Sequence, residues 1–256
     1  MARPLLALGG IVLIGIGLAT AFGWGWGSDF ENTNTVSQTI RSVKLEGDSG
    51  SVKIRTGTGP STVHEKISYH WRGKPGESFY RVDGDQLVLT DCGNNCSVDF
   101  EVVVPPGVPV TGRMDSGGLD VAGVASVDVR SDSGRARVED VPGLVKLRLD
   151  SGRIDLRDVG EVQLQADSGS IKGTEVRGPV NVTSSSGSVE FALTQVNDVK
   201  VKADSGRVDV EVPGGPYRVV GNSDSGRRDI DVPTDASAPH TLDLTTESGS
   251  VKVRVA

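Results

Sequence analysis

The most constraining feature of the sequence is a Ser-Gly pair that recurs nine times at nearly regular intervals. After Gly117, the glycines of successive pairs are separated by 17, 18, 17, 18, 19, 20 and 23 residues. A repeat of this length indicates stacked supersecondary units, each about the size of one β-solenoid coil. The nine glycines, all predicted to be structural turn residues, are Gly50, Gly117, Gly134, Gly152, Gly169, Gly187, Gly206, Gly226 and Gly249.

Apolar residues occupy every second position around each Ser-Gly pair, as in VKLRLDSGRIDLRDV and VKVKADSGRVDVEVP. This alternation is typical of strands with one buried face, so each repeat is predicted to be strand, turn, strand. The fold class is therefore all-β, a parallel β-solenoid or β-helix-like stack of coils of about 18 residues. The residue two positions after each glycine is expected to point inward, so that these residues form a ladder along the core. Arg228 is a misfit in this inward ladder and indicates a shallow core or a slipped register. The other ladder residues are Val52, Leu119, Ala136, Ile154, Ile171, Val189, Val208 and Val251.

The Ser-Gly pair is interpreted as a backbone device, because glycine adopts φ > 0 freely and Asp or Ser side chains accept hydrogen bonds from turn N–H groups. The preceding residue is Asp in seven repeats, Glu247 in one and Ser185 in one. A calcium column is the alternative, but the nonapeptide calcium signature is absent and Ser185 interrupts the column. We therefore expect no metal. The acids should instead pair with the arginines that follow the glycines, namely Arg135, Arg153, Arg207 and Arg227.

The period is lost between Gly50 and Gly117, where five of the eleven aromatic residues fall. FYRVDGDQLVLT is typical of a β-hairpin because Asp-Gly suits a type I′ turn. The sequence therefore predicts an irregular, antiparallel, aromatic-rich β insertion over residues 60–107. It is interpreted as a cap over one open end of the solenoid, since an unpaired edge invites aggregation. The alternative is a binding face made by Tyr69, Trp71, Phe79 and Tyr80.

Cys92 and Cys96 are the only cysteines and lie in the Gly- and Asn-rich segment DCGNNCS. Outside the cytoplasm such a pair should form a small-loop disulfide. A zinc site is the alternative, but it needs further ligands, for which the chain offers only His64, His70 and His240.

The segment 5–26 carries no charged residue and is long enough to cross a bilayer, which takes about 20 apolar residues. Residues 1–27 are predicted to be one transmembrane helix with a cytoplasmic N-terminus, or alternatively a signal peptide with a cleavage site at Ala19–Ala21. Both interpretations place the rest of the chain outside the cytoplasm. Residues 28–38 are expected to be a linker and residues 39–256 the solenoid domain.

The apolar N-terminal segment, the repeated DSGxVxV turns, the cysteine pair before CSVDFEVVVPPG and the closing ESGSVKVRV together resemble the DUF4097 family, over roughly residues 36–256. Members of that family are often labelled candidate adhesins. The resemblance implies a β-helical domain with no established reaction, and it supplies no catalytic residue.

A formal net charge of −7 argues against a nucleic-acid-binding surface, which needs a basic patch. The sequence therefore favours a non-enzymatic cell-surface or envelope scaffold of the adhesion type, anchored in the membrane, with a cell-wall polymer or an envelope protein as partner. One alternative is an accessory of an envelope-stress signalling system. The other is a β-helix enzyme acting on polysaccharide, which is disfavoured because the acids are spread one per turn and no catalytic motif is present. No cofactor is expected.

Overall fold

The computed structural model describes residues 28–47, 49–69, 78–93 and 96–256. Within this part of the chain the regular secondary structure is entirely β, as the alternating pattern predicts. The strands are β1 Ser28–Val36, β2 Ser42–Gly47, β3 Ser51–Thr56, β4 Ser61–Tyr69, β5 Tyr80–Asp83, β6 Gln86–Thr90, β7 Cys96–Val104, β8 Pro109–Met114, β9 Gly118–Ala122, β10 Ser126–Val141, β11 Val145–Val159, β12 Val162–Val176, β13 Val180–Leu193, β14 Val199–Val212, β15 Arg218–Val220, β16 Ser223–Ser225, β17 Arg228–Asp231 and β18 Thr241–Val255.

Each repeat folds as one coil with two arms that meet at the Ser-Gly pair. In β11, for example, Val145, Leu147 and Leu149 are buried on the first arm, while Ile154 and Leu156 are buried on the second. The residues between them point to solvent because successive strand side chains alternate faces. A coil therefore supplies apolar side chains from both arms to one shared core.

The coils stack in parallel with their Ser-Gly pairs in register. Their spatial order differs from chain order at both ends of the stack. The β2–β3 coil lies between the β6–β7 coil and the β8–β9 coil. At the other end β18 lies between β14 and the last coil, which is formed by β15, β16 and β17. In both cases, the coil that would be terminal by chain order lies second from the end of the stack.

The predicted inward ladder is confirmed. All eight of its apolar members are buried, with exposed fractions of 6% or less. Large side chains are few, and where one occurs its neighbour is small: Phe191 packs where a Cβ on Gly173 would stand. The parallel solenoid is therefore held together by a core of mostly Val, Leu and Ile.

The glycine of the Ser-Gly pair has a second role besides its dihedral angle. Eight of the nine have φ between 108° and 154°, as predicted, but Gly249 does not lie in the left-handed region. A Cβ on any of the nine would overlap a carbonyl oxygen of the adjacent coil. Close approach of two backbones is therefore the requirement that all nine copies share.

A second corner of the coil was not predicted from the sequence. Asp140, Asp158 and Glu175 have φ of 53°, 51° and 57°, a conformation that non-glycine residues rarely adopt. Each directly precedes a buried valine at the end of its second arm. The recurring acidic-Val pair in EDV, RDV and TEV was the available signal.

The interval 60–107 contains both a cap and a regular coil, so the prediction of one irregular insertion is wrong in part. β4 pairs antiparallel with β1 and β7, and the β5–β6 hairpin is antiparallel, as predicted for a cap. However, β6 and β7 pair in parallel with β2 and β3 and form the first coil of the stack. This coil escaped recognition because it has no Ser-Gly turn. Cys92 and Cys96 lie where its two arms meet instead.

The expected linker at 28–38 is mostly a strand. All nine residues of β1 pair with β4, from Ser28 opposite Tyr69 to Val36 opposite Ser61. Asn34 and Val36 are buried and Phe30 packs against the core. Polar composition suggested a linker, but the alternation of Phe30, Asn34 and Val36 satisfies a strand with one buried face.

Arg228 is explained by its position in the last coil. It lies opposite Val251, so the ladder keeps its register there and the predicted slip is wrong. Its guanidinium donates hydrogen bonds to the carbonyl oxygens of Leu244 at 2.7 Å and Val220 at 2.9 Å. Burial lowers the pKa of this guanidinium. Arg228 thus closes the end of the core, because in the part of the chain that the structure describes no further coil stacks on this one.

The predicted transmembrane helix or signal peptide at 1–27 lies outside the described residues. Within the described ranges, the structure has no helix with the length and apolar character needed to cross a bilayer.

Candidate functional site

The predicted aromatic binding face lies at the capped end of the stack. Tyr69 ends β4, opposite Ser28 of β1 and Cys96 of β7. Phe79 and Tyr80 begin the β5 hairpin, and all three aromatic side chains are half-buried and pack against the core. Their packing fits the interpretation as a cap, and a binding role stays a prediction. Trp71 lies outside the described residues.

A buried carboxyl group joins the parts of this cap. Glu65 lies on the inward face of β4 between Val63 and Ile67 and is fully buried. Its Oε1 accepts a hydrogen bond of 2.6 Å from the backbone N–H of Phe79, while Oε2 has no hydrogen-bond partner. Burial raises the pKa of Glu65. Burial and the nearby Glu65 also raise the pKa of Tyr80.

The raised pKa of Glu65 predicts a pH dependence of stability. Between its unfolded and folded pKa values, the folded protein holds a proton that the unfolded chain has lost, so stability falls as pH rises through this window. Glu65→Gln keeps the acceptor for Phe79 but does not ionise. Its free energy of unfolding should increase relative to that of the wild type as the pH rises above the ordinary pKa of a glutamate, as measured by urea unfolding at a series of pH values. Parallel curves would contradict the prediction, and the exposed Glu101→Gln is the matched control.

The predicted disulfide between Cys92 and Cys96 is confirmed. Both sulfur atoms are thereby used, so the zinc alternative is wrong. The disulfide closes the turn of the first coil, where the other coils have Ser-Gly. His64 contacts Thr33 Oγ1 at 2.8 Å and His240 lies 3.7 Å from Asp198, whereas His70 lies outside the described residues. Across the described ranges, no three His, Cys, Asp or Glu residues are grouped so that they could hold a metal ion.

The acids of the turns pair with different arginines from those predicted. Arg113 contacts Asp115 and Asp132, both at 3.1 Å, and Arg130 lies 3.8 Å from Asp132. These arginines lie two residues before an acid, on the same outward face of the first arm. Of the four predicted arginines, Arg135 lies 4.0 Å from Asp155 in the neighbouring coil. Arg153 donates a hydrogen bond to Ser170 Oγ, and neither Arg207 nor Arg227 has an ion pair among the described residues.

The outer face of the second arms is a ladder of charges that largely neutralise one another. Its ion pairs include Lys53 with Glu101 at 3.4 Å and Lys172 with Glu190 at 3.3 Å. One outward row alternates in sign at nearly every step. In stacking order it is Glu101, Lys53, Asp120, Arg137, Asp155, Lys172, Glu190, Asp209, Lys252 and Asp229.

The outer face of the first arms has a different character. Two open grooves, of about 290 Å³ and about 350 Å³, share Gln163 and Asn181 and together follow the coils from β10 to β18. Gln, Asn and Thr side chains form the middle, and Lys and Arg side chains flank them on both sides. Four carboxylates also line the grooves: Asp128, Glu161, Asp198 and Asp243. We call this surface the first-arm groove. Its central residues are Lys146, Arg148, Gln163, Gln165, Asn181, Thr183 and Lys200, which line the two grooves, and Lys202, which lies beside them in register with Thr183.

The first-arm groove was not predicted from the sequence. Its residues are polar positions of ordinary alternating strands, and they become one surface only when β11 to β14 stack in register. The available signal was the run of uncharged polar residues at equivalent positions of two consecutive repeats, VQLQA and VNVTS.

Comparison with solved structures finds similar chains of low sequence identity. A crystal structure described as a candidate cell adhesion protein from Clostridium sporogenes is 10% identical, with a TM-score of 0.31, and the match covers 90% of this chain and 100% of that one. A candidate adhesin from Parabacteroides distasonis is 12% identical, with a TM-score of 0.37 and coverage of 89% and 97%. One from Bacteroides fragilis is 11% identical, with a TM-score of 0.29 and coverage of 90% and 97%. No curated protein matches the sequence.

The family comparison covers most of the chain. The Toastrack DUF4097 family matches residues 37–254, a range that includes every Ser-Gly turn, the disulfide and both ends of the stack. The chain therefore belongs to the Toastrack DUF4097 family.

Proposed function

We propose that this protein is a membrane-anchored, extracytoplasmic surface domain that acts without catalysis, by presenting a rod of regularly spaced polar side chains to a partner in the cell envelope. The anchor is the uncharged segment 5–26, and the disulfide between Cys92 and Cys96 fits an oxidising compartment.

One observation carries the proposal: the polar groups of the described residues repeat once per coil and do not converge. The in-register pairing spreads carboxylates and cations along the stack at the strand spacing of about 4.8 Å. Hydrolysis of a glycosidic bond needs two carboxyl groups placed about the same sugar, and a repeated row does not isolate such a pair. A repeated row instead matches an extended partner that contacts several coils at once.

The test uses the full-length protein reconstituted into proteoliposomes and mixed with isolated wall fragments. We expect the fragments to sediment with these proteoliposomes and not with protein-free ones, and we expect no release of soluble sugar. Failure to retain either wall fragments or whole cells would contradict a surface-binding role. Release of reducing sugar would favour the enzyme instead.

A further inference from the structure

Two rows of outward side chains cross the middle of the first-arm groove. One row runs Lys146, Gln163, Asn181, Lys200, and the other runs Arg148, Gln165, Thr183, Lys202. In both rows, uncharged amide or hydroxyl groups on β12 and β13 are flanked by cations on β11 and β14. The strip therefore has a neutral hydrogen-bonding centre and a positive charge on each side.

Several of these groups have unused bonding capacity. Gln165, Asn181 and Thr183 make no side-chain hydrogen bond to the described part of the chain, and Arg148 and Lys202 make no ion pair there. All five are exposed. Gln163 is already engaged, because its amide donates a hydrogen bond of 2.8 Å to Glu161. The other three neutral groups and one cation on each side can therefore contact a ligand without breaking an internal bond.

The other two cations mark where the strip ends. Lys146 pairs with Asp128 at 3.1 Å and Lys200 pairs with Asp243 at 3.7 Å, so a carboxylate lies just beyond each flank. Between them, the column of turn acids is interrupted at Ser185, which follows Thr183 by two residues on β13. The acidic column thus loses one charge beside the centre of the groove.

We propose that the first-arm groove binds a linear polysaccharide that carries carboxylate groups, with the sugar chain running along the stack across β11 to β14. Amide and hydroxyl side chains both donate and accept hydrogen bonds, which matches sugar hydroxyl groups. Arg148 and Lys202 bind the carboxylates, and the arginine fork suits a planar carboxylate. Three coil steps separate these two cations, roughly 14 Å at the usual strand spacing, which is the reach of a short oligosaccharide. This inference rests on the proposed surface function and specifies its ligand.

The availability of unpaired cations favours this groove over the outer face of the second arms. The second-arm groove is lined by four cations, but each lies within 4.0 Å of a carboxylate: Arg135 with Asp155, Arg137 with Glu139, Arg157 with Glu175 and Lys172 with Glu190. The formal net charge of −7 opposes a polyanion at long range. At physiological salt the Debye length is about 8 Å, so contacts inside the groove are governed by its own cations.

The experiment is calorimetric titration of the full-length protein in detergent micelles with oligogalacturonate, and with a neutral maltooligosaccharide of equal length. We expect binding of the acidic oligomer that weakens with added salt. The double variant Arg148→Gln/Lys202→Gln should bind about tenfold more weakly, the size expected for the loss of two exposed charge contacts. The control Arg207→Gln/Lys252→Gln removes two exposed cations of the second arms that also lack ion pairs, and its affinity should stay within about twofold of the wild type.

Three results would overturn the assignment: no binding of oligogalacturonate by the wild type, equal or tighter binding of the neutral oligomer, or equal losses in the two double variants. Binding confined to vesicles of anionic lipid, or to a phosphate-bearing polymer, would overturn it in favour of that ligand. If the groove variant still retains wall fragments as the wild type does, the ligand assignment fails while the proposed surface function stands. If the wild type retains no fragments, the proposed function fails first.

Discussion

Replacing Gly152 by alanine should destabilise the folded protein by roughly 3–5 kcal/mol, a large part of the stability of an ordinary domain. Two costs combine. Gly152 has φ of 131°, which an L-residue rarely adopts, and its Cβ would overlap the carbonyl oxygen of Gly134 in the adjacent coil. Relief requires the two coils to separate, which weakens their ladder of hydrogen bonds.

The measurement is equilibrium unfolding in denaturant of a soluble fragment that begins at Ser28. The matched control is Gly59→Ala, because Gly59 lies outside the left-handed region and its Cβ would meet no atom within 4 Å. The control should change the free energy of unfolding by less than about 1 kcal/mol. A comparably small loss for Gly152→Ala would show that the coils are less closely stacked than the structure has them.

Removing β1 should produce the second large effect. A fragment of residues 37–256 lacks the strand that covers β4, along with the buried Val36 and the half-buried Phe30. We expect it to lose roughly 2–4 kcal/mol relative to residues 28–256, from the apolar surface that is no longer buried. The uncovered edge of β4 should also make the fragment aggregate, because its backbone N–H and C=O groups become available to another chain.

Denaturant unfolding and light scattering of the two fragments measure these effects. Glu31→Gln within the longer fragment is the control, since Glu31 is exposed on β1 and its distance of 4.0 Å to Lys66 makes a weak pair. This substitution should have almost no effect. Equal stability and equal solubility of the two fragments would mean that residues 28–36 serve as a linker after all.

The pH prediction for Glu65 probes the same capped end from the inside. Truncation of β1 tests the outer layer of the cap, and Glu65→Gln tests the buried carboxyl that holds the N–H of Phe79. An effect of truncation without a pH effect would place the stabilisation in strand pairing alone. If both occur, β1, β4 and β5 act as one unit around the end of the core.

Features that repeat within a short window could be predicted from the sequence. Alternating Val, Leu and Ile residues determined which face of each strand is buried, and the Ser-Gly period determined where each coil turns. The disulfide followed from two nearby cysteines in a chain predicted to be exported. These predictions succeed because each rests on contacts within a few residues or between equivalent positions of neighbouring repeats.

Features of the candidate site and of the two ends of the stack were harder to predict from the sequence. The position of Arg228 looked like an error in the ladder because chain order made its coil appear internal. In the structure that coil is the last one, and the arginine donates hydrogen bonds to the carbonyl groups of Leu244 and Val220. The first-arm groove was equally hidden, because Arg148 and Lys202 lie on different strands and are brought onto one surface only by the stacking of β11 to β14.

The sequence by itself therefore determined the coil: its length, its buried face, its turn and the parallel register that aligns one glycine with the next. The tertiary structure alone decided the order of the end coils, with β2–β3 and β18 each placed one position inside, and the recruitment of β1 to the cap. The physical reason lies in the strand edge. Alternation encodes which side of a strand faces the core, but any parallel coil offers the same row of N–H and C=O groups to its neighbours. Which coil lies next to which therefore depends on how the backbone groups at the two ends of the whole stack are covered.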